Sequence, residues 1–304
     1  MTMHSREELI QMADALRANP PAFFQIPGLH ELDELTDVED HRIRIGAMEN
    51  VHFFLVRPKG SRQSLPFVVN IHGGGMVRSH GERDILFAKR LALGAGCAVV
   101  SVDYHLAPRF PYPYPVDETE ALVDWLLDNA GRYGLESRYI LSGQSSGGNL
   151  AAAVTMRNVW QKKHVPDCLI LAYSWLDLAA NPFKKPDSCP DERREQYCFY
   201  RECYLDETDA LLPEISPALA KTEALVGFPE TLLIEGGKDE LRSENLSFFR
   251  HLCDAGVKAH MHYLPESVHG FMVNQMAGWK EAQEIVQHTV RIHFTQKNNR
   301  RLES

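Results

Sequence analysis

The chain lacks an excess of basic residues, a long apolar run and a paired-cysteine motif, and each absence removes a class of function. Its 304 residues hold 32 Lys and Arg against 41 Asp and Glu, a formal net charge of −9. A nucleic-acid partner needs a basic face, and adhesion to anionic membranes needs one too, so neither is expected. The longest apolar stretch, about residues 91–102, is interrupted by Gly94 and Gly96 and is far too short to span a bilayer. The first eight residues show no basic segment followed by an apolar one. No signal peptide is therefore expected, and the default compartment is cytoplasmic. Six cysteines occur, at 97, 168, 189, 198, 203 and 253, with no C-x-x-C pair among them. Cys97 and Cys168 lie in apolar, strand-like runs and read as small buried hydrophobes. Reduced thiols, with no metal site and no cofactor, are expected. Internal repeats and low-complexity segments are also missing.

What is present is an alternation of helix-like and strand-like patterns. Hydrophobic residues make up 44% and charged residues 24%, which suits one large domain. Ser5 followed by Glu8 forms a capping box that opens a helix over 5–19. Leu9, Ile10, Met12, Ala13 and Leu16 are expected on its apolar side, and Pro20-Pro21 ends it. Two strands over 41–57 join at residues 46–50. A short apolar run at 66–71 reads as a buried parallel strand. Helices are then expected over 85–93, 116–129, 150–162, 244–255 and 279–294. Strands are expected over 98–103, 139–142, 169–173, 231–235 and 258–264. This alternation predicts an α/β fold with a mostly parallel central sheet and helices on both faces. Residues 181–212 break the rhythm with Pro, Asp, Glu, Arg, Cys and Tyr. They read as an insertion over the sheet edge, and with about residues 1–40 they are expected to form a small helical cap.

Gly143-Gln144-Ser145-Ser146-Gly147 sits between an apolar strand and a helix-like stretch. That setting suits a nucleophile elbow, in which two glycines make room for a strained serine. His72-Gly73-Gly74-Gly75 follows the 66–71 strand directly. Its backbone N–H groups are suited to hold a developing oxyanion. A phosphate cradle is the rival reading, but neither Gly-Lys-Ser/Thr nor a helix-opening G-x-G-x-x-G follows. Asp239 stands just beyond the 231–235 strand, and His269 lies in the loop after the next one. All four motifs fall at the C-terminal ends of expected strands, where open α/β sheets bind ligands. The chain order Ser145, Asp239, His269 is that of the α/β-hydrolase fold.

Taken with Asp103-Tyr104-His105-Leu106-Ala107-Pro108, Ser216-Pro217, Asp239-Glu240-Leu241 and His269-Gly270-Phe271, these motifs resemble the hormone-sensitive-lipase-like (HGGG) family of α/β-hydrolase carboxylesterases. The resemblance covers roughly residues 50–295. It implies a serine carboxylesterase acting on short- to medium-chain acyl esters, with a small-molecule ester as its partner and no metal. It assigns Ser145 as nucleophile, His269 as general base and Asp239 as its orienter. It assigns the N–H groups of Gly74, Gly75 and Ser146 to the oxyanion hole. It also brings in a homodimer, because relatives often dimerise through the final strand and helix.

Three positions depart from the family's usual pattern: Gln144 for Asp, Ser146 for Ala, and Arg109 for Glu. The Ser146 hydroxyl is expected to affect acyl packing. Glu235, Glu240 and Glu244 compete with Asp239 as the histidine's partner. His72 is expected to brace the glycine loop, and His260 and His262 to share an exposed strand face. Trp175 and Tyr197, Tyr200 and Tyr204 either wall the pocket or pack the fold. An amidase or arylformamidase with the same triad, and a non-catalytic binding protein on a hydrolase scaffold, are the alternatives. A lipase for long-chain lipid needs an apolar lid, and 181–212 is too charged for one.

Overall fold

The computed structural model describes residues 4–19, 30, 32–205 and 209–302. The expected helix stop at Pro20-Pro21 and part of the expected cap lie outside the described residues.

Eight strands form one sheet. They are β1 (Thr36–Ile45), β2 (Met48–Pro58), β3 (Leu65–Ile71), β4 (Ala98–Asp103), β5 (Leu135–Gln144), β6 (Leu169–Ala172), β7 (Thr231–Gly236) and β8 (Ala259–Leu264). Their order across the sheet is β1-β2-β4-β3-β5-β6-β7-β8. β2 pairs antiparallel with both β1 and β4, and the remaining pairs are parallel. The strands β4, β6 and β7 are buried almost end to end, as expected of parallel strands covered on both faces. The edges differ. β1 exposes Asp37, Glu39, Asp40, Arg42 and Arg44 along its length, a charged edge that discourages further pairing.

Seven helices cover the sheet among the described residues. They are α1 (Arg6–Ala18), α2 (Glu82–Ala95), α3 (Tyr114–Asp128), α4 (Ser146–Trp160), α5 (Asp191–Leu205), α6 (Arg242–Asp254) and α7 (Trp279–Leu302). Alternate residues of each central strand serve opposite faces. Val69, Leu141 and Leu171 pack with α3, α4 and α6, while Val68, Ile140 and Ile170 pack with α2 and α7. No helix among the described residues is long and apolar enough to cross a membrane.

The sequence expectations hold for the order of elements and shift at several ends. The Ser5 cap forms: its hydroxyl accepts from Glu8 N at 3.3 Å and Glu8 Oε2 accepts from Ser5 N at 2.7 Å. Met12, expected on the apolar side of α1, is instead 42% exposed, and Leu9 and Ala13 carry the buried stripe. The insertion holds a helix of four turns, α5, that its charged composition concealed. Tyr197, Tyr200 and Tyr204 recur on its buried face at helical spacing.

Candidate active site

The elbow is built by close backbone approach. β5 ends at Gln144, α4 begins at Ser146, and Ser145 between them has φ 53 and ψ −122. A non-glycine residue there costs about 1–3 kcal/mol and must be held by its surroundings. Ser145 N donates to Ala172 O at 2.9 Å, and Ser145 O accepts from Trp175 N and Gly148 N, each at 3.0 Å. A Cβ on Gly143 would collide with the Gly147 carbonyl, and one on Gly147 with the Ile71 carbonyl. Both positions of the G-x-S-x-G motif therefore require glycine for space.

Ser145 Oγ lies 2.9 Å from His269 Nε2. His269 Nδ1 lies 2.9 Å from Asp239 Oδ2 and 3.1 Å from Oδ1. An Nδ1–H given to the carboxylate leaves Nε2 as the acceptor for the serine hydroxyl. Burial alone would disfavour the charged ring, but the adjacent Asp239 carboxylate outweighs it and holds the His269 pKa above its ordinary 6.5. Asp239 is fixed in turn, with Oδ1 accepting from Leu241 N at 2.8 Å.

The rival acids have other work. Glu240 accepts from Tyr197 Oη and Arg193 Nε, both at 2.9 Å. Glu244 accepts from Leu176 N at 2.6 Å and pairs with Lys185, and burial raises it to about 7. Glu235 is buried beneath the site and held well above its ordinary range, first by burial and then by the Asp239 charge. Of the groups that could hold a metal among the described residues, Asp239, Glu240 and His269 bring donor atoms within 4.8 Å of one another. Those donors are engaged with each other, with Arg193 and with Ser145.

The glycine loop is braced from two sides. His72 Nδ1 donates to Gly73 O at 2.8 Å, and its ring stacks on Tyr104 at 4.4 Å. Met76 N donates to Ser146 Oγ at 3.2 Å. The Ser146 hydroxyl thus ties the loop to the elbow and is fully buried. Gln144, where the family usually carries a charge, forms a buried amide pair with Asn70, its Nε2 donating to Asn70 Oδ1 at 2.7 Å. Arg109 donates to Asp14 Oδ2 of α1 at 2.6 Å. Arg17 of the same helix donates to Val77 O at 2.8 Å and Ala107 O at 2.6 Å, anchoring α1 beside the loop.

A cleft of about 460 Å³ opens above Ser145. Gly74, Gly75 and His269 form its floor, and Tyr197 and Tyr200 of α5 overhang it. Gly75 lies so close to Tyr200 that an added Cβ would enter the tyrosine ring. Trp175 and Tyr204 take the packing role instead. Both are buried away from the cleft, with Trp175 edge-on to Tyr197 at 5.1 Å. His260 and His262 are exposed on β8, and His260 lies 3.3 Å from Glu230. All six cysteines are free thiols.

A family profile described as alpha/beta hydrolase fold matches residues 68–273. The chain belongs to that family. Among its relatives, Carboxylesterase NlhH of Mycobacterium tuberculosis is 30% identical over 243 residues, covering 77% of this chain and 75% of that protein. Hormone-sensitive lipase of Bos taurus is 33% identical over 130 residues, covering 42% of this chain and 17% of that protein. The solved structure of carboxyl esterase 2 from the mycorrhizal fungus Tuber melanosporum superposes with a TM-score of 0.76 at 28% identity, over 93% of this chain and 97% of that one. The hydrolase is thus a member of the hormone-sensitive-lipase-like branch and a carboxylic ester hydrolase.

Proposed function

We propose that the hydrolase is a serine carboxylesterase for short- to medium-chain acyl esters, working through Ser145, His269 and Asp239. The observation that carries this reading is the unbroken chain of contacts from Ser145 Oγ through His269 to Asp239, 2.9 Å at each step. His269 Nε2 takes the hydroxyl proton as Ser145 Oγ attacks the ester carbonyl. The N–H groups of Gly74, Gly75 and Ser146 receive the oxyanion. Collapse returns the proton from His269 to the leaving alcohol and gives an acyl-enzyme. Water, deprotonated by His269, releases the acid. The α4 N-terminus beneath Ser145 adds a favourable partial positive charge.

The overhang of Tyr197 and Tyr200 above Ser145 supports a bounded acyl site, and on this reading α1 and α5 form the cap. The test is hydrolysis of a p-nitrophenyl ester series from acetyl to dodecanoyl by wild type and Ser145→Ala. Activity on the shorter chains that disappears in the variant supports the proposal. Undiminished activity in the variant removes Ser145 from the mechanism.

A further inference from the structure

The proposed mechanism uses Asp239 and leaves the next residue, Glu240, without a role. Glu240 is buried and lines the cleft. Its side chain stays with the triad: a carboxylate oxygen lies within 4.8 Å of both an Asp239 oxygen and a His269 ring nitrogen. A carboxylate at about 4–6 Å favours the charged form of an imidazole. His269 therefore faces two acids, one bonded to Nδ1 and one beside it.

The second acid is held from α5. Arg193 Nε and Tyr197 Oη both donate to Glu240 Oε1, each at 2.9 Å. Arg193 also lies over the Tyr197 ring, with Cζ 5.9 Å from its centroid. Tyr197 in turn stands edge-on to His269, with ring centroids 6.4 Å apart. Burial disfavours the Glu240 anion, but His269 and Arg193 outweigh it and hold the pKa below the ordinary carboxylate value. The groups facing His269 are thus Asp239 and Glu240 from the loop after β7, Arg193 and Tyr197 from α5, and Tyr173 just after β6, its ring 5.3 Å away. Farther out, Glu235 lies beneath Asp239, Arg83 of α2 pairs with Asp84, and Lys238 pairs with Glu266 at the exposed mouth.

We infer that Glu240 is a positioning residue acting through His269, a second carboxylate that α5 holds beside the ring through Arg193 and Tyr197, so that the seating of α5 tunes the proton acceptor of the reaction. This rests on the serine-esterase reading above and adds a control on its base. Glu240 strengthens the base, and Arg193 limits how far.

The test follows the rate at which a fluorophosphonate labels Ser145 as a function of pH, which reads His269 as base without a choice of ester. In Glu240→Gln, which removes the charge and keeps the shape, the acid limb of the profile should move down by about one pH unit. In Arg193→Met, which removes the opposing charge, it should move up. Circular dichroism reports whether each variant is folded, and if Glu240→Gln does not fold, the upward shift in Arg193→Met carries the test. A role in packing alone would slow labelling at every pH and leave the limb in place. A limb unmoved in both folded variants, or moved in the opposite directions, would overturn the inference and leave the serine-esterase reading intact. Folded wild type that takes no label on Ser145 would overturn both.

Discussion

The floor of the active site and its roof are built on different principles. The floor consists of strand ends and tight turns. Ser145 and Asp239 are fixed by backbone hydrogen bonds to strand ends, the glycine loop packs against the elbow, and glycines are required where main chains nearly touch. The roof consists of side chains from α5, with α1 beside it, meeting the floor through aromatic rings and charge pairs. The floor therefore tolerates almost no change of geometry, while the roof can be altered one side chain at a time. On the proposed reading, rate belongs to the floor and substrate choice to the roof.

The sharpest cut through that division is at the nucleophile. Ser145→Ala should reduce kcat by about 10⁶-fold, with the fold retained, as measured by ester hydrolysis beside a thermal melt. Asp239→Asn should follow with about a 10⁴-fold loss in kcat, because the amide favours the wrong His269 tautomer. Trp175 supports roof and floor together, being buried against Tyr197. Trp175→Ala should lower stability by about 3–5 kcal/mol in chemical denaturation.

Smaller effects probe the roof. Tyr200→Phe removes the acceptor for Arg78 while keeping the ring over Gly75. It should alter KM more than kcat in steady-state kinetics, and an equal fall in both would break the division. Glu240→Gln should move the acid limb of the pH–rate profile to lower pH, because a negative charge near His269 that stabilises the imidazolium is gone.

The pH dependence has a definite sign. The His269 pKa is raised above 6.5 in the folded protein, so its contribution to stability is fully present below 6.5 and is lost as pH rises through the folded value. On the proposed mechanism activity needs the neutral ring and should rise through that same window. Stability and rate should thus move in opposite directions there, measurable by paired denaturation and pH–rate curves.

The floor was legible in the sequence because its requirements are local. Gly73, Gly143 and Gly147 mark backbone collisions between neighbouring segments, and the strand ends that carry Asp239 and His269 follow from short apolar runs. The roof was less legible. The buried stripe of α5 is made of three tyrosines, one cysteine and the terminal Leu205 within a run of Asp, Glu and Arg, so its apolar period is faint. The seating of Tyr200 over Gly75 joins residues far apart in the chain and has no local signature. Glu240 was readable as a rival to Asp239, but its partners, Arg193 and Tyr197, arrive from the insertion. The bond between Ser146 and Met76 was hidden because its partners lie 70 residues apart in the chain.

The most direct test of the account is covalent capture of the nucleophile. Wild type and Ser145→Ala would be treated with a fluorophosphonate and the adduct located by peptide mass spectrometry. The account predicts one adduct per wild-type chain, on Ser145, and none in the variant. An adduct on another residue, or none on folded wild type, would contradict it.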